Sequence, residues 1–375
     1  MTPERPLVVL HLAANRWWTG SADPTIRLAV GLRARGHRIL LGAMPGDRFE
    51  SKAREAGLDL VDGLRLDPRS GPVAIALDVR RVRALVRAEA VDVIHAHHSH
   101  DHWLSLLARP WAGTDGHPPV VRTFHNLRSV KRDRVSALLY RRTAAALVVS
   151  RQIGARCREV GFPPHRIVWL PGVADIGRFA TGADPRPIRE EFALGDRPVI
   201  VSVARLAPNR NHELLLDGFR LLLRTVPRAR LLLVGKGEAR DRLERLVGEL
   251  GLGASVVFTG YRDRDLPEVL AAADCFVLMA AGSDESCRAA LEAMAAARPV
   301  VARRVGALPE TVVDGETGLL LDDDEPARVA EALAAVLADP ARARAMGAAG
   351  RRRVEEHFGP ARGVEILERL YRSLL

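Results

Sequence analysis

The sequence predicts an α/β chain built as two doubly wound, Rossmann-like parallel-sheet domains facing each other across a cleft. Three observations predict it. Short apolar runs alternate with amphipathic helical stretches, the pattern of parallel strands covered by helices. A stretch rich in proline, glycine and charge, ATGADPRPIREEFALGDRP, follows Phe179 and breaks the alternation. Beyond it the alternation restarts, which implies a second sheet. A chain of 375 residues is long enough for two domains with separate cores.

Taken in order, the predicted strands of the first half are Leu7 to Leu12, Ile39 to Leu41, Val91 to His95, Val120 to Phe124, Ala146 to Ser150 and Ile167 to Leu170. Helices are expected from Thr25 to Arg35, stopped by Gly36-His37, and from Val79 to Ala88. The second half gives strands at Val199 to Val203, Arg230 to Val234, Val256 to Phe258 and Cys275 to Leu278. Helices near Glu213 to Arg224, Ala239 to Leu250 and Leu266 to Ala272 separate them, and the chain ends in helix. The expected bounds are a first domain over 1–180, a linker over 181–196, a second domain over 197–355 and a last helix, 356–375, returning to the first domain. Ligands of such sheets sit at the carboxyl ends of the strands.

With 47% hydrophobic and 27% charged residues the composition is that of a folded protein, not a disordered one. No apolar run approaches the roughly 18 residues of a membrane span, and MTPERPLVVLHLAANRW reads as a first strand, without a signal peptide's basic start and cleavage site. Cys157, Cys275 and Cys287 are scattered, giving neither a disulfide framework nor zinc spacing, so a reduced, cytoplasmic setting is expected. The net charge of +10 is uneven: residues 1–180 hold 28 Lys+Arg against 16 Asp+Glu (+12), and residues 181–375 hold 28 against 30 (−2). An anionic partner for the first half follows. The excess concentrates in Arg80, Arg81, Arg83 and Arg87, and in Arg128, Lys131, Arg132, Arg134, Arg141 and Arg142. A helix over Val130 to Arg142 would put Val135, Leu138 and Leu139 on one side with basic residues around them, the pattern of a helix lying on an anionic membrane.

The richest segment runs from Gly282 to Gly318. Its polar turn, Gly282-Ser283-Asp284-Glu285-Ser286, leads into an Ala-rich helix, and the N–H groups at such a helix start suit an anion. Glu292 falls inside that apolar helix, where a carboxylate is costly unless something polar meets it. Asp284 and Ser283 also read as plain helix caps. The loop after Val199 to Val203 carries Arg205 and Arg210, whose guanidinium forks suit a diphosphate, although a pair of solvated arginines has the same spacing. Gly235-Lys236-Gly237 closes the next strand in a glycine turn, a weak signal by itself. Five histidines fall between His95 and His102, a density that invites a metal reading; here the run reads as a strand end and loop. Trp17 and Trp18 suit either sugar stacking or a core.

These motifs resemble the donor site of the retaining glycosyltransferase family 4, of GT-B fold: a Glu, seven residues, and a second Glu followed by Ala-Met-Ala. Glu292-Ala293-Met294-Ala295 matches the second part. Asp284 stands at the first acid with Glu285 beside it, and Glu285-Ser286-Cys287 replaces Gly-Phe-Gly. Arg210 and Asn211 stand where Lys-Gly is usual, and Gly20 alone keeps the Gly-Gly loop after the first strand, with Ala22 in place of the following acid. The Pro299-Val300-Val301 run, Gly306, Glu310 and the junction residues Asp175, Arg178 and Phe179 continue the likeness, which runs from about residue 7 to 360.

The resemblance implies a retaining, metal-independent glycosyltransferase using a nucleoside-diphosphate sugar, with no other cofactor. The implied catalytic set is His125, Arg205, Arg210, Asp284 and Glu292. His125 faces the donor sugar, the two arginines meet the leaving diphosphate, Glu292 the ribose and Asp284 the sugar hydroxyls. Gly20, Gly235, Lys236, Gly237, Tyr261, Arg262, Glu285, Ser286, Cys287 and Arg288 are the implied donor contacts. The expected acceptor is lipid-linked or a cell-surface glycan precursor, met at the inner membrane face by a peripherally docked first domain. A degenerate family member that binds without turnover, a GT-B epimerase or phosphorylase, and a basic nucleic-acid-binding α/β protein are the competing readings. The last explains the charge but not Glu292, and no nucleic-acid recognition motif is present.

Overall fold

The computed structural model describes residues 5–15, 20–109 and 117–375. The chain divides into two compact units, one running to Pro171 and adding Pro360–Leu375, the other Gly172–Gly359.

In the first unit seven strands, β1 (Val8–Ala13), β2 (Arg38–Ala43), β3 (Asp59–Leu60), β4 (Val93–Ala96), β5 (Val120–Phe124), β6 (Ala145–Val148) and β7 (Ile167–Trp169), form one sheet in the order β3-β2-β1-β4-β5-β6-β7. Every pairing is parallel. Runs such as Val120-Val121 and Ala145-Ala146-Leu147-Val148 are buried throughout, as strands covered on both faces must be. The strand order reverses between β1 and β4, so the loops leaving those two strands part from each other and open a crevice at the switch point. The last helix, Pro360–Ser373, packs on the Ala22–Ala34 helix, where Gly31 leaves room for Val364.

The second unit repeats the plan with β8 (Val199–Val203), β9 (Arg230–Val234), β10 (Val256–Gly260), β11 (Cys275–Leu278), β12 (Val300–Arg303) and β13 (Gly318–Leu321), ordered β10-β9-β8-β11-β12-β13. Its switch point lies between β8 and β11. The loops leaving those strands are the arginine loop and the acidic turn.

Three expectations need adjustment. The second unit begins at Gly172, not after residue 180, because Ala174 and Phe179 are buried in its core and Ala174 N–H donates to the Phe358 carbonyl at 3.0 Å. Residues 181–196 are part of that unit too. The Arg186–Glu191 helix buries Ile188, Leu194 follows it into the core, and Arg189 donates to the carbonyls of Gly195 (2.8 Å) and Ala272 (3.0 Å). Near Lys131 the helix is shorter than expected, Arg134–Arg141, and Leu139 turns inward while Val135 and Leu138 stay exposed.

Candidate functional site

In the second unit the separate sequence motifs converge. The Gly235-Lys236-Gly237 turn leaving β9 runs beside the loop leaving β8. Leu206 N–H donates to the Lys236 carbonyl (3.1 Å) and Ala239 N–H to the Leu206 carbonyl (2.9 Å). Gly235, at φ +147°, has no room for a side chain against the Ala204 carbonyl, and Gly237 has none against that of Leu206. Only glycine lets the two backbones approach this closely. Arg205 is exposed and pairs with Glu238 at 2.8 Å. His212, at the start of the next helix, bonds the Arg205 carbonyl through Nε2 at 3.2 Å and so fixes the loop's return.

Arg210 points the other way. Its guanidinium packs against Gly282, at the mouth of the acidic turn after β11, so closely that any side chain there would collide with it. Asn211 adopts φ +53°, the left-handed conformation the usual glycine would supply and asparagine tolerates best among other residues. The arginine loop and the acidic turn therefore meet through Arg210.

In the turn, Asp284 Oδ1 accepts the Ser286 N–H at 2.9 Å, and Asp284, Glu285 and Ser286 are all buried. Ser286 Oγ has no hydrogen-bond partner among the described residues. Cys287 precedes the Arg288–Ala295 helix at φ +54°, again where a glycine is usual, and burial pushes its thiol pKa up. Gly306, left-handed at φ +58°, sits under the turn, and Ala307 N–H holds the Glu285 carbonyl at 2.8 Å. Glu292 lies on the helix's buried face, 6% exposed, with Arg288 Nε 3.3 Å from its carboxylate. The polar partner that a buried acid demands thus comes partly from the helix itself.

Tyr261 is exposed and its ring lies under the Lys236 ammonium at 5.5 Å. Arg262, expected among the donor contacts, is committed elsewhere. Its guanidinium pairs with Glu191 and Asp265 (2.7 Å), bonds the Thr259 carbonyl (3.3 Å) and covers the Phe192 ring. It braces the Arg186–Glu191 helix against β10.

In the first unit His125 directly follows β5, buried, its pKa lowered to about 4 by burial and then by the Arg122 charge. A neutral imidazole offers one donor and one acceptor, as sugar hydroxyls require. Gly20 opens the turn before the Ala22–Ala34 helix, and Asp23 in that helix is engaged by Arg27 at 2.7 Å. Trp17, Trp18 and Thr19 lie outside the described residues.

The histidine run resolves into three roles. His95 and His102 are buried and bonded to hydroxyls, His95 to Tyr371 (2.6 Å) and Thr123 (2.7 Å), His102 to Thr143 (2.7 Å). His97 bonds His11 of β1 (3.0 Å) and Thr25 (3.3 Å). His98 lies at the switch point, in the loop leaving β4. Among the described residues the group with spacing for a metal is His11, His95 and His97, whose ligand atoms lie within 4.8 Å of one another, not the stretch from His97 to His102. Four of those six ring nitrogens belong to His95 and His97, and each already has a hydrogen-bond partner, which a bound ion would have to displace.

Two family models match the chain, Glycosyltransferase Family 4 over residues 20–178 and Glycosyl transferases group 1 over residues 185–353. Among characterised proteins, a GDP-mannose-dependent alpha-(1-6)-phosphatidylinositol monomannoside mannosyltransferase of Mycolicibacterium smegmatis is 36% identical over 273 residues, 71% of this chain and 66% of that protein. The protein of the same description from Mycobacterium tuberculosis is 33% identical over 346 residues, 86% of each chain. Among solved structures, Anabaena HepE in complex with UDP and glucose superposes with a TM-score of 0.80 over 98% of both chains at 20% identity. Sucrose-phosphate synthase from Thermosynechococcus elongatus gives 0.79 over 98% of this chain and 99% of that one, at 24% identity. At these identities the superpositions speak to fold alone, and the fold is GT-B.

Proposed function

This chain belongs to glycosyltransferase family 4, and on that premise we propose that it transfers mannose from GDP-mannose to a mannosylated phosphatidylinositol lipid, with retention at the anomeric carbon. The observation that carries the donor site is the meeting of Arg210 with Gly282, which joins a diphosphate-binding loop to a turn of buried acids. The choice of GDP-mannose and of an inositol lipid is supported by the relatives' activities.

In this reading Arg205, Arg210, Lys236 and the N–H groups of the turn at Ser286 hold the diphosphate, a fixed set of positive groups where negative charge develops. Gly235 and Gly237 let the phosphates come close to backbone, and Tyr261 lies beside the base. Glu292 accepts from the ribose hydroxyls. Asp284, with Glu285, accepts from sugar hydroxyls. Cys287 and Arg288 shape the turn and orient Glu292. The bond from the anomeric carbon to the diphosphate oxygen breaks as the acceptor oxygen bonds the same face. The acceptor's proton passes to the departing phosphate oxygen. No metal takes part in this scheme.

An acceptor in a membrane agrees with the first unit's outer helices. The connections from β3 to β4, β4 to β5 and β5 to β6 run in one direction along the sheet, so right-handed crossovers put their helices on one face. Pro72–Ala88 exposes Val73 and Leu77, Ser99–Ala108 exposes Trp103 and Leu107, and Arg134–Arg141 exposes Val135 and Leu138. Arg80, Arg87, Arg128, Lys131, Arg134 and Arg141 are exposed around them. Among the described residues no helix is long and apolar enough to cross a membrane.

The test is the Glu292→Gln variant, nearly isosteric, assayed for transfer from GDP-mannose and for GDP binding. The reading expects an intact fold, weaker GDP-mannose binding and transfer reduced at least about tenfold, the scale of one lost charge-assisted contact. Wild-type affinity and turnover in this variant would remove Glu292 from the site.

A further inference from the structure

At the switch point of the first sheet, a buried amide is aimed where nothing among the described residues meets it. Asp101 is fully buried at the start of the Ser99–Ala108 helix and grips both diverging loops at once. Its carboxylate accepts the Ala14 N–H of the loop leaving β1 at 3.1 Å and the His98 N–H of the loop leaving β4 at 2.9 Å. The His98 side chain in return accepts the Asp101 N–H, a reciprocal cap. That bond uses Nδ1, the ring nitrogen nearer the backbone, as acceptor, so the neutral ring carries its proton on Nε2. Nε2 lies 2.6 Å from Asn15 Oδ1, and the amide orientation follows: oxygen toward His98, nitrogen away from it. Asn15 is 4% exposed, and its Nδ2 has no hydrogen-bond partner among the described residues. His125 stands beside the pair, its ring centroid 5.8 Å from that of His98.

A buried amide donor left unpaired is destabilising, and native proteins rarely keep one without a use. Everything around Asn15 fixes its direction: Asp101 sets the two loops, the reciprocal cap sets the His98 tautomer, and His98 sets the amide. The position is the crevice where doubly wound sheets bind ligands.

We propose that Asn15 Nδ2, oriented by His98 and Asp101, is a hydroxyl-binding donor for a polyol ligand, forming with neutral His125 a subsite of the first unit. The ligand class is a ring bearing adjacent hydroxyls, as on the transferred sugar or on an inositol acceptor; naming these two sources rests on the function proposed above. His98 and Asp101 act as positioning residues.

The test is saturation-transfer NMR with the full chain, using free mannose and free myo-inositol as probes and GDP in a parallel titration. Asn15→Asp keeps an oxygen for His98 but turns the nitrogen donor into a second acceptor oxygen and adds a charge, so Asn15→Ala, which removes the donor without adding an acceptor, is measured beside it; thermal melts confirm both folds. We expect mannose or myo-inositol to bind the wild type and to lose at least about tenfold in affinity in both variants, with GDP binding unchanged. Loss on mannose points to the transferred sugar, loss on myo-inositol to the acceptor. Wild-type affinity in Asn15→Ala, or no binding of either polyol to the wild type, overturns the subsite. Absence of GDP binding in the wild type is a separate result and counts against the proposed transferase instead. A further variant, His98→Phe, keeps the ring and removes both nitrogens. It should lower the same polyol affinity by freeing the amide to rotate, and unchanged affinity there would exclude the orienting role.

Discussion

The guanidinium of Arg210 and the backbone of Gly282 are in contact across the mouth of the acidic turn, and the absence of a side chain at Gly282 is what permits it. Gly282 also sits at φ +87°, which other residues adopt poorly. Gly282→Ala should therefore act mainly through Arg210. We expect transfer to fall by roughly two orders of magnitude, as for one lost charge-stabilising donor. Stability should fall by about 1 kcal/mol. A double-mutant cycle separates the causes: in an Arg210→Ala background, Gly282→Ala should slow transfer little further. Additive losses would mean that the alanine disturbs the turn independently of Arg210.

Cys287 holds a left-handed backbone at the N-terminus of the Arg288–Ala295 helix, a conformation that costs a non-glycine residue about 1–2 kcal/mol. Cys287→Gly should raise the melting temperature or leave it unchanged while preserving transfer. Cys287→Val, β-branched, should lower it clearly. A marked loss of stability in the glycine variant would mean that the buried sulfur's packing outweighs the backbone strain.

What the sequence made legible follows from what is local. Strands Val199–Val203 and Arg230–Val234 are built around the apolar runs Val199-Ile200-Val201 and Leu231-Leu232-Leu233-Val234 and could be read directly, whereas β3 is two residues long and one of them is Asp59. Residues 181–196 look like a linker by composition, and only Ile188 and Leu194 betray the core they join. In the site, the acids and arginines stood out by type, and so did the glycine turn. Their partners did not, because Arg262 with Glu191 and His98 with Asn15 pair across 71 and 83 residues. Gly282 and Gly306 were visible as glycines, but the reason for each is a neighbour brought in by the fold.

Metal independence is a testable part of the scheme. Transfer after exhaustive dialysis against EDTA should match the untreated protein. If activity disappears and zinc or manganese restores it, the group to examine is His11, His95 and His97, since its ligand atoms already lie together.

The same histidines set an acid limit. His11 is held near pKa 4 by burial, and His125 likewise, and burial also lowers His95, His97 and His102 well below the ordinary histidine value. Each binds its proton more readily in the unfolded chain, where the pKa is about 6.5. Stability from these groups is therefore present above about pH 6.5 and is lost as pH falls toward 4. Asp101 works in the opposite sense: burial raises it to about 7, so its contribution is greatest at low pH and fades as pH rises through 7. Five groups against one give a net loss on acidification. Melting temperatures between pH 7.5 and 4.5 should fall, and His97→Gln should flatten the slope. A profile level across that range would mean that these rings remain solvated and ionisable.

Whether the first unit meets a membrane turns on charge and apolar exposure acting together. Val135 and Leu138 are about half exposed on a helix whose ends carry Arg134 and Arg141, with Arg128 and Lys131 close in sequence. Each basic residue near an anionic surface contributes about 1 kcal/mol at low salt, and salt screens that attraction within roughly 10 Å. Binding should thus require anionic lipid, weaken with added salt, and depend on the apolar residues for whatever survives screening. Co-sedimentation with anionic and neutral vesicles at two salt concentrations measures each term. Leu138→Asp should reduce binding to anionic vesicles with little change in melting temperature, because the side chain it replaces is already exposed. Arg134→Glu should reduce it further at low salt than at high salt. Equal binding to neutral vesicles would assign the attraction to apolar contact alone, and no binding to either kind at low salt would leave a soluble acceptor as the better substrate for this enzyme.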